Sequence, residues 1–125
     1  MTKVGIIGSG SIARAHARAY LELPDVQIVA VADVVPGRAQ EFIDSLSLSG
    51  ATVFTDHRDA LQQEMDGVSV CTPNVAHHRT SIDAMEAGKH VLTEKPMAVT
   101  LDQAVEMARV ARKWASRLEW TPLRD

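Results

Sequence analysis

Three short clusters in this sequence hold residue types suited to binding and using a phosphorylated cofactor. The first is Gly8-Ser9-Gly10-Ser11-Ile12-Ala13, which breaks an apolar run and opens a helix-like segment. A glycine at position 8 permits a tight turn out of a strand. A glycine at position 10 lets a pyrophosphate approach the backbone closely. A helix starting near Ser11 aims its free N–H groups and positive dipole end at that phosphate. Ala13 stands where the fingerprint has its third small residue, which serves helix–strand packing. A second apolar run ends in Asp33, close to the ~20 residues at which the fingerprint places an acid for the adenosine ribose. The bland alternative is a structural turn in another α/β domain. The agreement of strand, turn, helix and terminal acid favours a dinucleotide site.

The second cluster is Thr72-Pro73-Asn74 and the third is Glu94-Lys95-Pro96. Asn74 suits an N-cap, so the second cluster reads either as an ordinary strand-to-helix turn or as a loop facing a cofactor. Lys95 reads either as a solvated turn residue or as a group that hydrogen-bonds substrate. Partial desolvation would lower its pKa and allow proton exchange.

The elements that must position these clusters follow from the apolar pattern. Strands are expected over 3–8, 26–33, 52–54, 68–72 and 90–93. Helices are expected over 11–23, from Pro36 to about 47, over 58–63 and over 75–87, with Gly88 as the C′ residue of the last of these. Thr100-Leu101-Asp102-Gln103 has the form of a capping box and opens a final helix with Ala104, Met107, Ala108, Ala111 and Ala115 on its apolar face. The alternation predicts an α/β fold: a doubly wound parallel sheet of order 3-2-1-4-5 with helices on both faces. The crevice then lies between the C-terminal ends of strands one and four, where the second cluster falls.

The chain has 125 residues, 46% of them hydrophobic, which suits a single domain with a real core. Thirteen basic and 16 acidic residues are dispersed and give a net charge of −3, so no nucleic-acid or anionic-membrane partner is indicated. The lone Cys71 forms no internal disulfide and reads as a small buried strand residue. No signal-type segment or spanning apolar run is present, and a cytoplasmic location is the default expectation. His77 and His78 are adjacent and diverge on a helix, so no metal site is expected. His57 and His90 show no partner in the sequence, and His16 reads as a packing or capping residue.

Taken together, Gly8-x-Gly10-x-Ile12-Ala13-x-x-His16, Asp33, Thr72-Pro73-Asn74-x-x-His77 and Ala87-Gly88-Lys89-His90-Val91-Leu92-x-Glu94-Lys95-Pro96 resemble the Gfo/Idh/MocA oxidoreductase family. The resemblance covers about residues 3–111. It implies a Rossmann domain binding NAD, with NADP possible. By that match Gly8, Gly10, Ser11, Ile12 and Ala13 line the pyrophosphate turn, Asp33 meets the ribose, and Arg38 lies near that end. Thr72, Pro73, Asn74 and His77 border the nicotinamide. Glu94, Lys95 and Pro96 form the loop toward nicotinamide and substrate, with Lys95 the catalytic candidate. Asp33 favours NAD because its charge repels a 2′-phosphate. The complete enzymes of such a family move hydride between nicotinamide and a sugar or cyclitol hydroxyl.

The resemblance also implies a sixth strand and a second, substrate-binding domain. Residues 113–125 read as an atypical tail without a convincing sixth strand, since Pro122 soon interrupts the alternation of Leu118 and Trp120. The expectation is therefore one dinucleotide-binding domain, 1–125, lacking its substrate domain. A natural truncation, a shifted reading frame, an excised domain and a short protein all fit. The alternative function is a nucleotide-binding or regulatory module without turnover, and exposed edges favour self-association or a partner chain.

Overall fold

The computed structural model describes residues 2–72, 74–94 and 118–121. The expected final helix, and with it Pro73, Lys95 and Pro96, lies outside the described residues. The elements in chain order are β1 (Thr2–Ile7), α1 (Ser11–Leu21), β2 (Val26–Ala32), α2 (Arg38–Leu46), β3 (Thr52–Phe54), α3 (His57–Ala60), β4 (Gly67–Val70), α4 (Asn74–Glu86), β5 (His90–Glu94) and β6 (Leu118–Thr121).

The sheet is parallel, with order β3-β2-β1-β4-β5-β6. The five-strand order and the helices on both faces are as the alternation predicts. The sixth strand corrects the expectation for the tail. Val91 pairs with Leu118 and Glu94 with Thr121, so β6 lies along β5. A four-residue strand at the end of a sheet draws its stability from its neighbour's hydrogen bonds, which leave no local pattern to read. The strand ends at Thr121, before Pro122 in the sequence.

Each face of the sheet carries its own core. On one face Val4, Ile6, Ile28 and Val31 meet Ala13 and Ala17 of α1 and Ala39, Phe42 and Ile43 of α2. On the other, Ile7, Ala30, Ala32, Val68, Val70 and Val91 meet Ala60, Leu61, Ile82, Ala84 and Met85 from the α3–α4 side. The buried strands read as continuous apolar runs because both faces are covered. A register shift pairs Val4 with Ile28 but Gly5 with Ala30. Val29 is thus an extra residue, which is why Val29 and Ala30 join the same core cluster despite being adjacent. Fully burying a side chain the size of Phe42 contributes roughly 1.5–3 kcal/mol.

Helix ends follow local chemistry. Gly88 (φ +80) closes α4, with Gly88 N–H donating to Met85 O at 2.9 Å and Lys89 N–H to Ala84 O at 3.1 Å. That is the paired-bond Schellman ending expected for a C′ glycine. At the end of α2 the left-handed position falls to Ser47 (φ 57), a non-glycine residue held by Leu48 N–H donating to Ile43 O. The α2 helix starts at Arg38 after Gly37, so Pro36 sits in the preceding turn and not in the first helical turn. Asp56 caps α3 by accepting the Arg58 N–H at 2.9 Å.

Candidate dinucleotide site at the sheet's switch point

The chain leaves β1 at Ile7 and must turn at once to start α1. Gly8 makes that turn with φ +97, its N–H donating to Ala32 O at 2.7 Å. A Cβ there would lie 2.6 Å from the Cys71 carbonyl oxygen. Both conformation and space therefore exclude a side chain. Gly10 differs: a Cβ would meet no atom within 4 Å. The chain itself does not crowd Gly10, and its bare backbone faces open space. Gly10 is the N-cap of α1, with no side-chain cap and no acidic residue in the first turn. The helix's first N–H groups and its positive end are left for an anion from outside. Ser11 is exposed and Ile12 is 38% exposed, whereas Ala13 is fully buried in the core under α1.

Asp33 follows β2 directly. Its Oδ1 accepts the Val35 N–H at 2.9 Å and its Oδ2 accepts the Ser9 hydroxyl at 2.5 Å. The Arg38 Nε stands 4.0 Å from the same Oδ2. Val34 and Val35 beside it are exposed apolar surface. Ser9, Gly10, Ser11, Arg14, Arg38, Glu41 and Phe42 enclose a cleft of about 250 Å³. The Arg14 guanidinium lies 5.5 Å from the Phe42 ring centre and donates to Ser45 Oγ at 2.8 Å, which fixes a cation in this wall.

Across the crevice, Cys71 and Thr72 follow β4. Cys71 N–H donates to Ile7 O at 2.7 Å, keeping the two strand ends side by side. Thr72 Oγ1 is buried with no hydrogen-bond partner among the described residues. Asn74 is the first residue of α4, His77 lies within its first turn, and Glu94 ends β5. The structure thus brings Gly8, Gly10, Ser11, Ile12, Asp33 and Arg38 to one side of the crevice and Thr72 to the other.

Residues 2–119 match the family model of GFO_IDH_MocA, an oxidoreductase family with an NAD-binding Rossmann fold. The chain belongs to this family. Glucose-6-phosphate 3-dehydrogenase of Bacillus subtilis is 37% identical over 117 residues, which cover 94% of this chain and 32% of that protein. Inositol 2-dehydrogenase/D-chiro-inositol 3-dehydrogenase of Lactiplantibacillus plantarum is 36% identical over 120 residues, 94% of this chain and 34% of that one. The crystal structure of the WlbA dehydrogenase from Chromobacterium violaceum, in complex with NADH and UDP-GlcNAcA, superposes with a TM-score of 0.89 at 31% identity. It covers 96% of this chain and 34% of that chain. The chain spans about a third of the length of the curated relatives it matches.

The family's domain binds NAD, and the described part of the crevice leaves room for such a ligand. The open space at Gly10 and the uncapped start of α1 fit a ligand lying at the switch point. The sequence reading passed over Ser9, Arg14, Glu41 and Phe42. Arg14 had one legible signal: it lies four positions after Gly10, one helical turn on the same side. Ser9 lies inside the fingerprint, but its partner is 24 positions away and only folding joins them.

The other polar residues sort by geometry. His57, which shows no partner in the sequence, has one in the fold: its Nε2 lies 2.7 Å from Asp83 Oδ2, joining α3 to α4. His16 is buried, with Nδ1 2.9 Å from Ser69 Oγ, and the Tyr20 hydroxyl also meets Ser69 Oγ. Burial pushes the Tyr20 hydroxyl pKa up. Cys71 sits just past β4 and is half-buried rather than buried in the strand. Among the described residues, no helix is long and apolar enough to cross a membrane.

Proposed function

We propose that this chain is the dinucleotide-binding domain of an oxidoreductase that moves hydride between a nicotinamide and a sugar or cyclitol hydroxyl. The observation that carries the proposal is a cleft lined by the open face of Gly10 and the uncapped α1 terminus, next to the Gly8 turn and to the Asp33 carboxylate that the lining residue Ser9 tethers. The relatives named for glucose-6-phosphate and inositol dehydrogenation supply the substrate class.

In this reading Gly8, Gly10, Ser11, Ile12 and Ala13 form the pyrophosphate turn. Asp33 accepts hydrogen bonds from the adenosine ribose, and Arg38 and Arg14 flank that end. Asp33 makes NAD the preferred cofactor over NADP. Thr72, Pro73, Asn74 and His77 border the nicotinamide, while Glu94 and Pro96 shape the loop that presents Lys95. A nicotinamide held by these residues would supply the hydride acceptor. Lys95 takes the proton that leaves the substrate hydroxyl, so it is the catalytic residue in this proposal. Hydride transfer also requires the sugar to be held in near-attack geometry, a task for a substrate domain of the kind the longer relatives have room for. Residues 1–125 act as one unit in a cytoplasmic enzyme, and pairing at the outer strands β3 and β6 with a second chain is the association we propose.

Calorimetric titration with NADH and NADPH tests the cofactor claim. Binding with NADH preferred is expected, and no binding by a chain that circular dichroism shows to be folded sinks it. Adding NAD with myo-inositol or a glucoside, with and without a supplied substrate domain, separates an enzyme from a binding module. NADH formation that Lys95→Met abolishes supports the catalytic role, whereas binding without turnover under both conditions supports the module. Light scattering that shows a clean monomer at all concentrations removes the association claim.

A further inference from the structure

We infer that Ser9 is a positioning residue for cofactor choice: its hydroxyl holds the Asp33 carboxylate where it accepts an unphosphorylated ribose diol and opposes a 2′-phosphate. The inference rests on the ribose role proposed for Asp33. Ser9 lies between the two turn glycines and is only 8% exposed, as is the Asp33 side chain. The carboxylate is fixed from two directions. Val35 N–H holds Oδ1 at 2.9 Å, and the Ser9 hydroxyl holds Oδ2 at 2.5 Å. The nearby cation, Arg38 Nε, stops at 4.0 Å from Oδ2, outside hydrogen-bond range, on a half-exposed side chain.

Take away the Ser9 hydroxyl and Oδ2 loses its donor. Arg38 then has the shortest path to replace it, and a direct ion pair forms. That pair offsets the charge that repels a 2′-phosphate by drawing the Arg38 guanidinium, already in the cleft wall, against the carboxylate. With Ser9 present, the carboxylate keeps further lone pairs for a ribose hydroxyl, because each oxygen accepts more than one hydrogen bond. The same hydroxyl links the pyrophosphate turn to the ribose acceptor, so the turn and the specificity residue are set together.

The test titrates the full chain and its Ser9→Ala variant with NADH and NADPH, with folding checked by circular dichroism. Ser9→Gly serves where Ser9→Ala folds poorly, since it removes the hydroxyl and adds nothing. NADH affinity is expected to fall about tenfold, the scale of one hydrogen bond to a charged group. NADPH affinity is expected to hold or rise, so the preference narrows. In an Asp33→Ser background the Ser9 change should leave the preference untouched. Equal loss of both cofactors, an unchanged preference, or an additive effect in that background overturns the inference. A purely structural Ser9 produces the first of these. If Asp33→Ser itself leaves the preference unchanged, the ribose role of Asp33 fails and takes this inference with it. If Asp33→Ser shifts the preference and Ser9→Ala does not, only Ser9 is at fault.

Discussion

The ends of β2 and β4 close the same crevice in opposite polar states. At the end of β2, both carboxylate oxygens of Asp33 already hold protein donors, with Arg38 standing by. At the end of β4, the Thr72 hydroxyl is buried with no partner among the described residues. A buried hydroxyl without a hydrogen bond costs roughly 1–3 kcal/mol. The end of β2 is thus fixed by the chain itself, whereas the end of β4 keeps a hydroxyl unmatched among the described residues.

The two turn glycines offer the largest break in that comparison. Gly8→Ala places a Cβ 2.6 Å from the Cys71 carbonyl oxygen at φ +97. It should destabilise the fold by about 3 kcal/mol or more, read by chemical denaturation. Gly10→Ala meets no atom of the chain. Stability should change by less than about 1 kcal/mol, while NADH affinity drops at least tenfold because the added methyl occupies ligand space. Equal stability losses in the two variants would show that Gly10 serves the fold and not the ligand.

Next in size is Asp33→Ser. NADH affinity should fall by roughly tenfold and NADPH affinity should rise, since a charged acceptor has been exchanged for a neutral one. Unimproved NADPH binding would undermine the role given to Asp33.

Thr72→Val sharpens the other side. It is close to isosteric and removes the orphaned hydroxyl. The free chain should gain about 1 kcal/mol in denaturant unfolding, while dinucleotide affinity falls. A loss of stability would reveal a partner for Thr72.

The smallest effect lies away from the crevice. The Arg58 side chain hydrogen-bonded to Asp56, together with the Arg58 backbone N–H, lowers the Asp56 pKa from 3.8 to about 2. A depressed carboxylate contributes stability above its unfolded value and loses it as pH falls through the folded one. Asp56→Ala should therefore lower the melting temperature slightly at neutral pH, and its gap from the parent should close between about pH 4 and pH 2. A gap constant across that range would mean that the cap does not act through its charge.

Much of the crevice was legible because its logic is local. A strand, a glycine turn, a helix start and an acid lie in order along Val4 to Asp33, and each is recognisable from its neighbours. What escaped reading depends on distant segments. His57 gained Asp83 as a partner only when α3 and α4 came together. Ser9 met Asp33 because β1 and β2 end side by side. Residues 118–121 became a strand because β5 offered its hydrogen-bonding edge. None of these pairs has a period or a motif.

By itself the sequence determined the fold class, the family and the place of the glycine turn after β1. Those depend on short-range backbone rules: glycine where φ must be positive or the backbone bare, apolar runs where both sheet faces are covered. Only the tertiary structure decided why the two glycines differ, how the Asp33 carboxylate is held, and that Thr72 has no hydrogen-bond partner among the described residues. These are facts about which polar atoms meet across the sheet, and hydrogen bonding is set by positions within a few tenths of an ångström that only the packed fold supplies.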